Sequence, residues 1–187
     1  MILTLVTMLL TAMAITRERE IGTLEQIIVS PIKPSELILG KTLPFLMFGC
    51  IDATLIITAG SVFFNIPILG SLPLLMLSAL LYVFVCIGSG ITISTFSHTQ
   101  QQAMLSFFFF MFPAIILSGF MFPINNMPPL FRFITLANPM RYFLECIRGI
   151  MLKGNSIDVL YPWLLALMGF GMMTIGLGIF RLRKKWL

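Results

Sequence analysis

Charged residues are scarce in this chain of 187 residues. Asp, Glu, Lys and Arg make up 10% of it, whereas hydrophobic residues make up 58% and the mean hydropathy is +1.02. Soluble domains carry about 25% charged residues, so the composition excludes a protein whose whole surface faces water. Because the hydrophobic residues come in long runs rather than periodic stripes, we predict a polytopic membrane protein.

The chain is also poor in residues that bind metals or perform catalysis. It has one histidine, His98, and three cysteines, Cys50, Cys86 and Cys146, which are too few and too scattered for a disulfide framework or a His/Cys metal site. Its sequence contains no G-x-S-x-G motif, no H-E-x-x-H motif and no paired carboxylates. We therefore expect no catalytic residue and no metal site.

Acidic residues are fewer than basic ones, which gives a formal net charge of +5. The basic residues lie just outside the apolar runs instead of forming one exposed field. This arrangement argues against a nucleic-acid partner, because membrane proteins use it to set their orientation.

The tripeptide Gly40-Lys41-Thr42 resembles the end of a nucleotide-binding P-loop. A P-loop also needs an earlier glycine, where this chain has Ser35, and a strand before the loop. Here the tripeptide leads directly into an apolar run, so we interpret Lys41 as a cation at the membrane boundary. We expect no nucleotide and no other cofactor to bind this chain.

Four apolar runs have about the 20 residues that a spanning helix needs, at residues 43–64, 72–95, 103–122 and 160–180. A fifth run, residues 1–15, is shorter. We interpret it as the end of a longer helix, so the chain is expected to be a fragment or the product of a truncated reading frame. The predicted fold is all-α, with residues 1–187 forming a single transmembrane domain, a polytopic helical bundle of about five spans.

The basic residues predict how these spans are oriented. One group flanks the first loop and consists of Arg17, Arg19, Lys33 and Lys41. A second group follows the last run and consists of Arg181, Arg183, Lys184 and Lys185. Five crossings from an outer N-terminus place both groups on the same side, which the positive-inside rule assigns to the cytoplasm. We therefore expect a cytoplasmic C-terminus.

The segment 123–158 is expected on the outer side, between the last two spans. It is too apolar for a solvated loop and too rich in proline for one long helix. We predict broken, re-entrant helices that dip into the outer leaflet, since irregular backbone at membrane depth must be covered by protein or line a wet cavity. Within it, Arg141, Glu145 and Arg148 share a helix face and are predicted to form ion pairs.

The segment 16–42 is predicted to lie in the cytoplasm. Ile21, Leu24, Ile27 and Ile28 form an apolar stripe at helical spacing, and the polar side carries Glu18, Glu20, Glu25 and Gln26. A helix lying on membrane lipid is one interpretation, but such helices usually carry Lys and Arg on the polar face. The acidic face favours a protein partner.

Asp52 lies near the middle of its apolar run. A carboxylate at membrane depth is costly and marks a functional site by default. The alternative is a carboxylate that hydrogen-bonds to a neighbouring Ser or Thr. Both interpretations stay open, and the first predicts an intramembrane polar site.

Three stretches resemble ABC-2 type transporter permeases of the bacterial multidrug-exporter kind: REREIGTLEQIIVSPIKPSELILGK, LSGFMFPINNMPP and NPMRYFLECIRGI. The resemblance covers essentially the whole chain. It implies an inner-membrane subunit with six spans, which pairs with a second permease and is driven by a separate ATP-binding subunit that holds ATP and Mg²⁺. The coupling residues would be Glu18, Glu20, Ile21, Gly22, Thr23, Leu24, Glu25 and Gln26. By this resemblance, the chain is expected to start after the family's first span and external domain.

Two other classes of function are considered. One is a truncated, non-transporting membrane remnant or scaffold, and the other is an ion or proton channel gated around Asp52. The cargo does not follow from the sequence, because the family handles drugs, lipids, glycans and peptides.

Overall fold

The computed structural model describes the backbone of residues 1–22 and 34–186, and the side chains of that part of the chain except residues 34–39, 41 and 182–186. Within this description the secondary structure is helical and contains no strand, which confirms the all-α prediction. The helices are α1 (Ile2–Ile21), α2 (Pro34–Phe63), α3 (Leu72–Phe96), α4 (Gln100–Ile116), α5 (Pro129–Ile134), α6 (Pro139–Met151) and α7 (Ile157–Trp186). Two 3-10 helices, Ile124–Asn126 and Thr135–Ala137, flank α5.

Helix α3 is the centre of the bundle, with α1 and α7 packed on opposite sides of it. Small residues let the backbones approach. A Cβ atom added to Gly90 would lie 2.7 Å from the carbonyl oxygen of Met8 in α1. One added to Gly88 would lie 2.6 Å from the backbone nitrogen of Ile175 in α7. Gly88 and Gly90 therefore allow close helix packing.

The surface of the bundle is apolar, and its interior contains buried polar residues beside a hydrophobic core. Phe63 and Phe109 are 80% and 77% exposed, whereas the buried polar residues include Thr4, Thr7, Thr11, Thr16, Ser78, Ser94, Thr95 and Ser97. The buried hydroxyls of Thr11 and Thr16 donate to the carbonyls of Thr7 and Ala12, at 2.6 Å and 2.8 Å. A protein surrounded by lipid has this distribution, since lipid tails solvate apolar side chains and leave polar ones to the interior.

Three helical stretches are long and apolar enough to cross a membrane: Thr42–Phe63, Leu72–Phe96 and Ile157–Arg181. The predicted run 103–122 is shorter as a helix, because α4 has 17 residues and ends at Ile116. Gly119 then adopts a φ of +80°, which favours glycine and turns the chain away from the helix axis. The predicted run 1–15 is longer, since α1 continues through Arg17 to Ile21.

The outer segment is broken into short helices, as predicted. Pro129 and Pro139 occupy first-turn positions of α5 and α6, where a missing backbone N–H costs nothing. Pro113 is different, because it lies inside α4 and does not end it. Asn138 caps α6, and its Oδ1 accepts a hydrogen bond from the Met140 amide at 3.1 Å.

The C-terminal ends of α1, α3 and α7 lie at the same end of the bundle. The guanidinium of Arg181 in α7 lies 4.3 Å from the centre of the Phe96 ring at the end of α3, and Arg19 of α1 contacts the next residue, Ser97. We call this the basic end. The opposite, proline end contains α5 and α6, and there the Leu69 amide donates to the Met151 carbonyl at 3.2 Å. Both ends agree with five crossings, while the side of the membrane stays a prediction.

Candidate functional site

Two consecutive residues of α1 hold the connection between α3 and α4. Arg19 Nη1 donates to the Ser97 carbonyl at 3.1 Å. Glu20 Oε2 accepts hydrogen bonds from the backbone amide and the side-chain Nε2 of Gln100, at 3.2 Å and 3.1 Å. We call these contacts the α1 clamp. They place a cation on the last residue of the α3 end and an anion on the first turn of α4, the signs that helix dipoles favour.

The clamp overlaps the start of the predicted coupling residues, because Glu20 belongs to both. Glu18, Glu20 and Ile21 are in the last turn of α1. Gly22 ends the helix with a φ of 81°, and its backbone amide donates a hydrogen bond to the Arg19 carbonyl. Thr23, Leu24, Glu25 and Gln26 lie outside the described residues. Ile21 is 62% exposed, but Glu20 is already occupied within the chain. Glu20 therefore contacts α4, so it is not part of one continuous acidic face available to a partner.

The connection that the clamp grips is itself capped. Thr99 is the N-cap of α4, and its hydroxyl accepts a hydrogen bond from the Gln102 amide at 3.2 Å. The Gln102 side-chain oxygen in turn accepts a hydrogen bond from the His98 amide at 2.8 Å. This reciprocal pair resembles a capping box and gives α4 a defined starting point. His98 serves here through its backbone, not through its ring.

A cavity of about 470 Å³ lies between α1, α3 and α4 and is bordered at the proline end by residues 137–140. We call it the α1–α4 cavity. Its apolar walls include Met8, Val85, Phe110 and Met111, and its polar residues are Thr4, Tyr82, Ser89 and Asn138. The volume and the few polar groups are those of a small-molecule site.

The polar groups of the cavity are positioned by packing between helices. Thr4 Oγ1 and Tyr82 Oη are 2.8 Å apart, and both residues are buried. The Tyr82 ring stacks on Phe143 of α6 with ring centres 4.1 Å apart. Tyr82 thus connects α1, α3 and α6 next to the cavity.

The threonines of α1 were not predicted as part of a site. Thr4, Thr7 and Thr11 follow each other at helical spacing and are all buried. That spacing within an apolar run was the available signal. Nothing comparable in the sequence pointed to Tyr82, because its partner lies in another helix.

Asp52 lies on the side of α2 that faces the core, next to buried Ala53. Its Oδ2 is buried without a hydrogen-bond partner in the described part of the chain. The nearby hydroxyls of Thr54 and Thr58 donate to the carbonyls of Cys50 and Thr54 instead. The expected bond from a neighbouring hydroxyl is thus not formed to this oxygen.

The outer arginines bind neutral oxygens rather than Glu145. Arg141 Nη1 donates to the Thr135 hydroxyl at 2.6 Å, and Arg148 Nη2 donates to the Gly119 carbonyl at 3.2 Å. The predicted ion pairs with Glu145 are not formed among the described residues, although the three side chains do lie on α6. The reason is that the irregular chain before α6 presents carbonyls and a hydroxyl that need donors.

α6 is also tied to the end of α4. Asn138 Nδ2 donates to the Ala114 carbonyl at 2.7 Å. This carbonyl lies in the last turn of α4, where helical amides no longer reach it. Together with the bond from Arg148 to Gly119, it fixes the proline end of α4 against α6. The residues that the structure describes contain no cluster of metal-ligating side chains.

Comparison with protein families gives one match, to the family described as ABC-2 type transporter, over residues 1–152. The matched range includes the α1 clamp, every residue of the α1–α4 cavity and the whole of α6. It ends before α7 begins at Ile157.

Curated relatives extend the similarity. The Probable multidrug ABC transporter permease YbhR of Escherichia coli K12 is 38% identical over 161 residues, which are 86% of this chain and 44% of that protein. The permease of the same description named YbhS is 31% identical over 185 residues, 98% of this chain and 49% of that protein. The Inner membrane transport permease YhhJ is 30% identical over 184 residues, with 97% and 49% covered. The chain therefore spans less than half the length of these relatives.

Proposed function

The chain belongs to the ABC-2 type transporter family, and from this membership we propose that it forms the membrane-spanning part of an ATP-binding-cassette exporter in the bacterial inner membrane. The apolar exterior and the helices long enough to span a bilayer support this assignment. The names of the relatives, which describe multidrug and inner membrane transport permeases, point the same way.

A separate ATP-binding subunit would drive transport and hold the ATP and Mg²⁺. Within this chain, Gly40, Lys41 and Thr42 lie inside α2. Their amides belong to a helix interior and are not arranged to cradle a phosphate. The partner would dock on the segment after Gly22, and a second permease would complete the path through the membrane.

The α1–α4 cavity is a suitable place for cargo within the bilayer. Its walls are mostly apolar, and the polar residues Thr4 and Tyr82 line it as a hydrogen-bonded pair. An apolar molecule with one or two hydrogen-bonding groups would match this lining. Alternating access would then open the cavity to one side of the membrane at a time.

The α1 clamp is the observation that carries the proposal. It connects the end of α1, where the coupling segment starts, to the two other helices that line the cavity. A push on the coupling segment therefore has a direct route to the cavity walls. A membrane remnant without a partner has no need of such a route.

The proposal is tested by purifying the tagged chain from membranes of the native cell. We expect an ATP-binding subunit to co-purify, and we expect combined charge reversal at Glu18, Glu20 and Glu25 to lower the number of molecules transported per ATP hydrolysed. Recovery of the chain without any ATPase would support the remnant instead. Undiminished coupling in the triple variant would exclude a docking role for the acidic residues.

A further inference from the structure

We propose that Glu20 is a positioning residue for coupling, which makes the start of α4 move together with the end of α1. This inference rests on the proposed exporter function. It differs from the simpler assignment of Glu20 as an acidic contact for the ATPase. The first observation is that one carboxylate oxygen already holds both the amide and the side chain of Gln100.

The chemistry of the contact suits a rigid connection. Gln100 is the first residue of α4, and the amides of a first helical turn lack partners within their own helix. A carboxylate on such an amide forms a charge-assisted hydrogen bond and also meets the positive end of the helix dipole. Because Arg19 binds the Ser97 carbonyl on the other side of the connection, α1 holds both of its ends.

Within the described part of the chain, helix α4 packs through one narrow face. Its buried residues are Ala103, Phe107 and Met111, which form one stripe at helical spacing. They pack with Ala12 of α1 and Ile93 of α3 in a small cluster separate from the main core. The opposite side of α4, including Leu105 and Phe109, is exposed. With so narrow a packed stripe, the position of α4 depends on how its ends are held.

The far end of α4 is held by α6. Asn138 and Arg148 bind the carbonyls of Ala114 and Gly119, at 2.7 Å and 3.2 Å. Asn138 also lies at the edge of the α1–α4 cavity. A displacement of α1 that α4 follows would therefore reach the residues that cover the cavity at the proline end. Glu20 is the first link in this series of contacts.

The test uses the complete permease with its ATP-binding subunit in proteoliposomes. Glu20→Ala should lower transport per ATP about tenfold, within the range typical of coupling between sites, while the affinity for the ATP-binding subunit changes less than about twofold. Glu20→Gln should retain part of the coupling, since its amide oxygen still accepts a hydrogen bond. Asp158→Asn, an exposed carboxylate at the start of α7, is the control and should match the wild type.

A cysteine pair gives an independent readout. With the native cysteines replaced, Glu20→Cys with Gln100→Cys should be poorly coupled until a short bifunctional thiol reagent joins the two positions, and joining them should restore transport. A block of transport by the crosslink would show that the two helix ends separate during the cycle, and would overturn the inference. The inference would also be overturned if Glu20→Ala lost affinity for the ATP-binding subunit in proportion to its loss of transport.

The two proposals fail separately. If no ATP-binding subunit associates with the wild-type permease, the exporter function itself is wrong. If the subunit binds and drives transport but Glu20→Ala transports normally, the exporter function stands and only the role of Glu20 is excluded. Should Glu20→Ala not accumulate in the membrane, the Gln variant and the cysteine pair decide the question.

Discussion

Glu20 shows how neighbouring residues of one type acquire different roles. The sequence Arg17-Glu18-Arg19-Glu20 looks like a uniform charged segment, and its acids were predicted to face a partner. In the folded chain Glu20 reaches the start of α4, and Arg19 reaches the end of α3. The distinction depends on the α3–α4 connection, which lies 80 residues further along the chain.

Gly88 provides a test of helix packing at a single residue. Gly88→Ala should destabilise the bundle by about 1–3 kcal/mol, the usual cost of adding a methylene to a packed core, because its methyl would meet the backbone of Thr174 and Ile175. The matched control is Gly176→Ala, since no atom lies within 4 Å of that site. The control should be neutral or gain up to about 1 kcal/mol of helix propensity.

Thermal unfolding of the detergent-purified variants would measure this difference. Equal unfolding midpoints for Gly88→Ala and Gly176→Ala would contradict the close contact between α3 and α7.

Among the helices, α6 is held in place by contacts that its sequence pattern did not predict. Arg141, Glu145 and Arg148 suggested a helix stabilised by its own ion pairs. The arginines instead bind Thr135 and Gly119 in the chain that precedes the helix. The helix is thus an anchor for irregular backbone, whose carbonyls need partners at membrane depth.

Asn138→Ala should loosen the proline end of the bundle. The substitution removes the N-cap bond to Met140 and the bond to the Ala114 carbonyl. Loss of an N-cap alone costs about 0.5–2 kcal/mol, so the amides of residues 140–143 should exchange hydrogen at least about fivefold faster. Asn126→Ala, at an exposed position of a 3-10 helix, is the control. Unchanged exchange at α6 would show that the two bonds are not needed.

On the scale of the whole molecule, the two ends of the bundle predict its orientation in the membrane. Arg17, Arg19 and Arg181 share one end with His98, and the positive-inside rule places this end in the cytoplasm. Asn126 lies in the outer segment and is exposed, as is His98. The two residues should therefore be reachable from opposite sides of the membrane.

Single cysteines would determine the orientation. In a variant without native cysteines, Asn126→Cys should react with a membrane-impermeant maleimide in intact spheroplasts, and His98→Cys should react only after lysis. Labelling of both positions from the same side would contradict a membrane crossing by α4, and the reverse pattern would contradict the predicted orientation.

Much of this architecture is predictable from the sequence, and the reason is physical. Apolar runs such as residues 72–95 must become helices, because the bilayer core offers no partner for a free amide or carbonyl. The prolines of the segment 123–158 likewise predicted broken helices. The preceding run 103–122 was less predictable, because α4 continues through Pro113 and ends at Ile116, before the turn at Gly119.

The arrangement of the helices and the side chains of the site needed the folded structure. Four similar apolar runs do not reveal that α3 is central, because this depends on which small residues meet, as Gly88 meets Thr174 and Gly90 meets Met8. The pair Thr4 and Tyr82 and the pair Glu20 and Gln100 join residues about 80 positions apart. The local sequence pattern indicates which face of a helix is polar. Contacts between residues this far apart in the chain form only when the helices pack.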